Sequence, residues 1–442
     1  MFEISKGAKT VLDILYSNGY EGYIVGGATR DMIMGIPVND FDITTNALPE
    51  ENLKIFKDFR VIETGIKHGT VTVVVDKENV EITTYRTDGE YKDNRHPENV
   101  SFTRSLARDL GRRDFTINAR AYDGKGKFID LFGGKEDIQN KIIRAIGEPE
   151  KRFEEDALRI LRAVRFSSTL GFEIEPDTKK AMEEKRHLLK NISKERIAAE
   201  INKFLCGKNV KNAILENVKV LSVIIPEIAE MENFSQNNPH HVYDLLTHTA
   251  IVTEKIPPVK HLRLSAFLHD TGKLKTYKED EKGIAHFYSH AKESEKIATL
   301  YLNNYKYDNE TKEKVLTLIV HHDEVIQNDR IFIKKRISRL GKEMFFDLLE
   351  IKKADNYAQS PQFYRIDEIE SIKKTAEDIV NSENCFSIKD LNINGSDLIK
   401  IGISEGKQIG EMLSYLFGEV IEEKIPNEKE LLLQKAKQLS NK

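Results

Sequence analysis

Gly26-Gly27-Ala28-Thr29-Arg30-Asp31, followed nine residues later by Asp40-Phe41-Asp42, is the stretch on which the fold turns. Paired glycines let a backbone approach a phosphate with no Cβ in the way. The nearby arginine can fork onto phosphate oxygens. On a strand, residues two apart share a face, so Asp40 and Asp42 are expected to aim together. Two such carboxylates repel unless a cation lies between them, and Mg²⁺ prefers carboxylate and phosphate oxygens. Glycine pair, arginine and Asp-x-Asp together read as a nucleotidyl-transfer site.

Working outward, Met1 to Tyr23 reads as a helix ending at a short strand, Tyr23-Ile24-Val25. Phe41 to Thr44 reads as a second strand. Thr70–Val75 and Val80–Tyr85 are β-rich runs joined by a hairpin over Asp76–Asn79. Residues 86 to 112 are polar and read as one long loop, a length that inside a domain usually serves function. From about 150 the period turns helical and stays so. The expected divisions are a head over 1–145, a neck over 146–232, a helical body over 233–375 and a tail over 376–442.

At 442 residues the chain is too long for one ordinary core. A net charge of −4 rules out a globally basic surface, so any nucleic-acid contact must be local. Cys206 and Cys385 are the only cysteines, which excludes a disulfide framework or a thiolate zinc site and fits a reducing cytoplasm. No apolar run of about eighteen residues predicts a membrane span.

Three further stretches accompany the first: Thr64-Gly65-Ile66-Lys67-His68-Gly69-Thr70, Asp109–Ala119 with Arg112-Arg113-Asp114 inside it, and Glu155–Phe166. With these, the chain resembles the class II tRNA nucleotidyltransferases, the CCA-adding enzymes, along nearly its whole length. The resemblance implies an α+β fold: a mixed-sheet head followed by an all-α neck, body and tail. It implies addition of C, C and A to tRNA 3′ ends from CTP and ATP, with the tRNA acceptor arm as partner. Asp40 and Asp42 would hold Mg²⁺, and Gly26, Gly27 and Arg30 the triphosphate. Arg113 would contact the nucleotide, and Asp156 and Arg159 would read its base. Three apart on a helix, those two would share a face. Arg162 and Arg165 read either as further nucleotide contacts or as an RNA-facing stripe. Glu81 resembles a third catalytic carboxylate. Glu195–Glu200 looks like the motif that braces the neck. The segment Arg86–Val100, with Asp88, Gly89, Tyr91, Arg95 and His96, resembles the loop that the family needs to switch from C to A. Addition of A alone, addition of CC alone, poly(A) synthesis and an inert RNA-binding protein stay open as alternatives.

A second constellation follows: His248, His269-Asp270, His290, His321-His322 and Asp355. Imidazoles with carboxylates suit Mn²⁺, Ni²⁺, Fe²⁺ or Zn²⁺. The series resembles the HD phosphohydrolases, with Leu268–Lys273 as signature. That resemblance implies a metal site on His248, His269, Asp270, His290, His321 and Asp355, and a metal-dependent phosphohydrolase. A catalytically silent helical spacer is the alternative. Lys334, Lys335, Arg336 and Arg339 form a local basic cluster able to meet phosphates.

Overall fold

Alternating burial along Thr70–Val75 puts Val71, Val73 and Val75 on one face, and this face seeds the head. The computed structural model describes residues 2–38, 40–88, 100–382 and 384–440. The chain divides into two compact units, Met1–Ala229 and Glu230–Lys442. The first holds a seven-stranded sheet, built from β1 (Gly22–Val25), β2 (Asp42–Thr45), β3 (Arg60–Ile62), β4 (Thr70–Val75), β5 (Glu78–Thr84), β6 (Arg120–Tyr122) and β7 (Phe128–Asp130). Their spatial order is β3-β4-β5-β2-β1-β6-β7. All neighbours are antiparallel except β2 and β5, which run parallel, so the sheet is mixed.

The hairpin between β4 and β5 is tighter than expected. Only Asp76 and Lys77 turn, at φ 50° and 70°, while Glu78 and Asn79 already pair with Val75 and Val74. Two residues with positive φ match the twist of the flanking strands, which a four-residue connection would not require. The first helix is shorter than expected, Lys6–Ser17. The Ser5 hydroxyl starts it by accepting from the Ala8 N–H. Its Val11, Leu12 and Leu15 pack with Ile24, Ile43, Val73 and Ile82.

Residues 86–112 are not one loop. Arg86–Asp88 pairs antiparallel with Val100–Phe102, and Leu106–Gly111 is a helix. Gly89, Tyr91, Arg95 and His96 lie outside the described residues. Beyond the sheet, helices Leu158–Leu170 and Lys194–Leu205 pack together and bury Leu161, Val164, Ile197 and Ile201.

The second unit is helical apart from short strands at Lys278–Glu279 and Ala285–His286. One core gathers Ile251, Leu262, Leu318, Ile337, Phe345 and Ile372. A separate core gathers Leu398, Leu416, Val420, Leu432 and Ala436. Among the described residues, no helix is long and apolar enough to cross a membrane.

Candidate functional site

Strand register lays the floor of the first site. Val25 on β1 pairs with Asp42 on β2, and Asp42 pairs with Glu81 on β5. The chain leaves β1 directly into Gly26, so glycine and two carboxylates stand at one level of the sheet. Asp42 is the first residue of β2, and Asp40 precedes the strand. The argument from strand alternation therefore does not hold for this pair. Their charges still interact. Desolvation pushes Asp42 above its usual range, with Arg113 opposing and Asp40 adding to the rise. Glu81 is raised by desolvation and by the charges of Asp42 and Asp40. Three mutually repelling carboxylates form a hard oxygen donor set, which fits Mg²⁺.

Gly26 takes φ 72°, ψ −141°, a conformation that L side chains rarely adopt. A Cβ there would sit 3.6 Å from Arg113 Nη1 and 3.7 Å from Asp42 Oδ2. Gly27 opens helix Gly27–Met34, whose free N–H groups form an anion-binding end. Arg30, one turn on, folds back over that end: its Nη2 lies 3.4 Å from where a Gly27 Cβ would be. Asp31 holds Arg30 at 2.7 Å, and Arg30 Nη1 donates to Asn118 Oδ1 at 3.0 Å.

Arg113 is fixed by Asp109, a fully buried carboxylate. Asp109 also accepts from Thr44 Oγ1 at 3.1 Å, from the Arg86 N–H at 3.3 Å and from Arg112 Nε at 3.0 Å. It ties β2, the 86–102 ribbon and the Arg-Arg-Asp motif into one network. Arg113 Nε stays buried without a hydrogen bond.

Asp156 and Arg159 do not share a helix. Helix Pro149–Glu155 ends before Asp156, which is extended at φ −136°, and the next helix begins at Leu158. Asp156 accepts from the Leu158 N–H at 3.1 Å and from Arg196 Nη2 at 2.9 Å. Arg159 is buried against Glu155 at 2.6 Å and donates to the Arg112 carbonyl at 2.9 Å. Arg162 and Arg165 are not a solvated stripe. Arg162 forks onto Asp114 at 2.6 and 2.8 Å, and Arg165 meets Glu200 at 2.6 Å. Burial would raise the Asp114 carboxyl, but the Arg162 guanidinium overcomes that and holds it at about 2. The guanidiniums of Arg30, Arg162 and Arg165 stand 5.4, 5.7 and 4.0 Å from the Phe166 ring centre. Asp109, Asp114, Asn118, Phe166 and Arg196 were given no individual role by sequence reasoning. All but Arg196 lie inside the quoted motifs, so the signal was present; the pairings were not.

The second unit gathers the other constellation. His248, His269, Asp270 and Asp355 bring ligand atoms within 4.8 Å of one another, and Asp270, His290 and His322 form a second such group. The three head carboxylates together are not drawn so close. His322, not His321, joins the cluster. His321 turns away and pairs with Glu324 at 2.9 Å, while His322 Nε2 lies 3.1 Å from His290 Nε2. Successive helical residues differ by about 100°, so only one of the pair can face inward.

Contacts from His248 and His269 to Asp270 and Asp355 run from 3.0 to 3.6 Å. Two donors each ~2.1 Å from one cation at 90–110° would be ~3.0–3.4 Å apart, so the spacing suits a shared ion. His248 Nε2, His269 Nε2 and both Asp270 oxygens are buried without a hydrogen bond. The opposite nitrogens, Nδ1 of His248, His269, His290 and His322, face backbone carbonyls at 2.6–3.3 Å, which fixes Nε2 as the inward donor. Burial lowers the His269 imidazole, but the Asp270 charge overcomes it and holds it at about 10. Lys273 Nζ stands 2.7 Å from Asp270.

The basic cluster at 334–339 is largely spent on neighbours. Lys334 meets Glu423 at 3.3 Å, Lys335 meets Glu422 at 2.6 Å and Arg336 meets Glu324 at 2.6 Å. Its charge is therefore mostly neutralised.

Residues 22–144 match the family described as poly(A) polymerase head domain. Residues 171–232 match the probable RNA- and SrmB-binding site of polymerase A, and 275–436 the putative domain 2 of tRNA nucleotidyltransferase. A CCA-adding enzyme of Ligilactobacillus salivarius is 35% identical over 440 residues, which span 98% of this chain and 96% of that one. The Bacillus stearothermophilus CCA-adding enzyme in complex with CTP superposes with a TM-score of 0.74 at 28% identity, over 99% of this chain and 98% of that one. The Thermotoga maritima CCA-adding enzyme complexed with tRNA shares the fold, with a TM-score of 0.60 at 21% identity, over 99% of this chain and 97% of that one.

Proposed function

The chain belongs to the family of CCA-adding enzymes, and on that premise we propose how its residues build the CCA end of tRNA from CTP and ATP. The observation that carries this reading is the register that sets Gly26, Asp42 and Glu81 at one level of the sheet, with Arg113 beside Asp42. In this reading Asp40, Asp42 and Glu81 hold Mg²⁺, which activates the RNA 3′-hydroxyl and offsets charge on the leaving pyrophosphate. The helix end at Gly27 receives the triphosphate, and Arg30 and Arg113 fork onto its oxygens. The 3′-oxygen attacks the α-phosphorus, the bond to the β-phosphate oxygen breaks, and pyrophosphate departs. Asp156 presents carboxylate acceptors to the base, held by Arg196, and Arg159 presents the N–H groups left over from Glu155 and the Arg112 carbonyl. Arg162 and Arg165 are positioning residues that set Asp114 and Phe166 under Arg30. The 86–100 segment supports the step from C to A. Reactants of this kind place the protein in the cytoplasm.

Asp42→Asn tests this directly. It keeps size and removes charge, so addition of both C and A to tRNA lacking CCA should fall at least about a thousandfold with tRNA binding retained. Retention of either activity at wild-type rate would overturn the assignment of the metal site.

A specific observation favours a second chemistry in the other unit. Buried, unpaired Nε2 and carboxylate atoms at ligand spacing mark a transition-metal centre on His248, His269, Asp270, Asp355, His290 and His322. This set fits a phosphohydrolase of the HD type, with Mn²⁺, Ni²⁺, Fe²⁺ or Zn²⁺ as the ion supplying an activated water.

A further inference from the structure

The second unit contains a cavity of about 280 Å³. Its lining includes Asp355, His240, Phe363, Lys352, Arg365 and Gln359. Asp355 is also a member of the ligand cluster, so one side chain forms a wall shared by the two. Its Oδ1 faces His248 at 3.0 Å and its Oδ2 accepts from Gln359 Nε2 at 3.0 Å. Within the cluster, solvent reaches mainly this residue: Asp355 is 24% exposed, against 0% for His248 and His269 and 1% for Asp270. The cavity is therefore the approach to the buried donors.

Two features of the lining point to an occupant. The first is aromatic. The His240 ring lies against Phe363 with centroids 3.8 Å apart, and His240 is exposed. The Ser360 N–H donates to the His240 carbonyl at 2.8 Å, which pins that ring to the cavity-forming segment. A supported, accessible ring is a stacking platform for a base. The second is charge. Arg365 is exposed, its backbone N–H is held by Asn356 Oδ1 at 2.6 Å, and no carboxylate pairs with its guanidinium among the described residues. A guanidinium fixed at its root and free at its tip suits a phosphate. Lys352 is different: its Nζ is occupied by the carbonyls of His322 and Glu324 at 2.8 and 2.6 Å, so it shapes the wall.

We propose that this cavity is a mononucleotide site that feeds the His/Asp cluster. The base lies on His240, the phosphate lies between Arg365 and Asp355, and the ester is cleaved at the cluster. The proposal rests on reading that cluster as a phosphohydrolase centre. Hydrolysis forms one P–O bond to water, breaks the P–O bond to the leaving group and releases a proton to solvent. The volume sits near the lower end of small-molecule sites, which favours a single nucleotide over a polymer.

The test uses the full chain loaded with Mn²⁺ and two chromogenic esters, thymidine 5′-p-nitrophenyl phosphate and bis(p-nitrophenyl) phosphate. The wild type should prefer the nucleoside ester in kcat/KM. His240→Ala and Arg365→Ala should each lower kcat/KM for it by about tenfold, mostly through KM, with bound metal unchanged. Titration calorimetry with thymidine 5′-phosphate should show the same loss of affinity, whatever the turnover. If the wild type cleaves both esters equally and the variants match it, the cavity assignment falls while the metal reading stands. If the wild type cleaves neither ester, the phosphohydrolase reading falls, and calorimetry alone decides the cavity. Binding lost in both variants upholds a nucleotide site, and no binding by the wild type overturns it.

Discussion

Gly26 concentrates the demands of the head in one residue. Its φ of 72° and ψ of −141° are costly for any side chain, about 1–3 kcal/mol. The space itself is adequate, since a Cβ would only touch Arg113 and Asp42 at 3.6 and 3.7 Å. Gly26→Ala should therefore lower the melting temperature and, by moving the backbone between those two side chains, slow C and A addition to a similar degree. Differential scanning calorimetry beside single-nucleotide extension checks this; an alanine variant with wild-type stability and rates would contradict it. Asp114 carries a pH signature. Arg162 holds its folded carboxyl at about 2, below the model value of 3.8, so the pair stabilises fully above about pH 4 and loses that contribution as pH falls towards 2. Asp114→Asn should cost about 2 kcal/mol at pH 7, and the deficit should be constant from pH 8 to 5 and shrink below 4. Urea unfolding across that range is the measurement, and a deficit that varies between pH 8 and 5 would point elsewhere. Identity of the residues was legible in the sequence here, since chemistry restricts which side chains serve. Partners were not: Arg162 meets Asp114 across 48 positions, and no local spacing encodes that distance.

At the scale of elements, the break between helices Pro149–Glu155 and Leu158–Leu170 is decisive. A continuous helix would have put Asp156 and Arg159 one turn apart, pointing together. The break turns Asp156 towards Arg196 on helix Lys194–Leu205 and sends Arg159 back to the Arg112 carbonyl. Base choice then depends on a residue outside the quoted stretch. Arg196→Ala should free Asp156 and raise misincorporation of U and G, corresponding to about 1–3 kcal/mol of lost discrimination, while leaving tRNA affinity unchanged. Competition extensions with mixed nucleotides, beside filter binding of tRNA, separate the two effects. A fall in tRNA affinity with selectivity intact would assign Arg196 to RNA instead. Strands and helices with clear periodicity were readable, as Val71, Val73 and Val75 illustrate. The break was not readable, because the run from Leu158 to Phe166 is apolar enough to suggest one helix, and nothing at Asp156 or Ala157 is a strong breaker. The choice between His321 and His322 failed for a related reason: adjacent residues differ only in helical phase, which needs the exact packing of the helix.

At the scale of the molecule, the two sites belong to separate units, and their donor sets share no residue. His269→Ala combined with Asp270→Ala should remove the bound transition metal and hydrolysis of 2′,3′-cyclic phosphates, yet leave CCA addition at the wild-type rate. Elemental analysis of the purified protein and parallel assays of both activities check this. Loss of CCA addition in a folded double variant would show that the sites are coupled. The mixed sheet followed by helices was legible from the change of period near residue 150, because periodicity reports which face is buried. The sheet order was not, since strand neighbours such as β1 and β6 are almost a hundred positions apart. That order has a consequence for the chain as it is made. β1 and β2 leave the ribosome early, but both end as interior strands. β2 gains its second neighbour only when Glu78–Thr84 has emerged, and β1 only when Arg120–Tyr122 has. Until then the growing head carries open strand edges next to its catalytic carboxylates, and the enzyme that finishes other molecules' ends is itself unfinished at its centre for a quarter of its own synthesis.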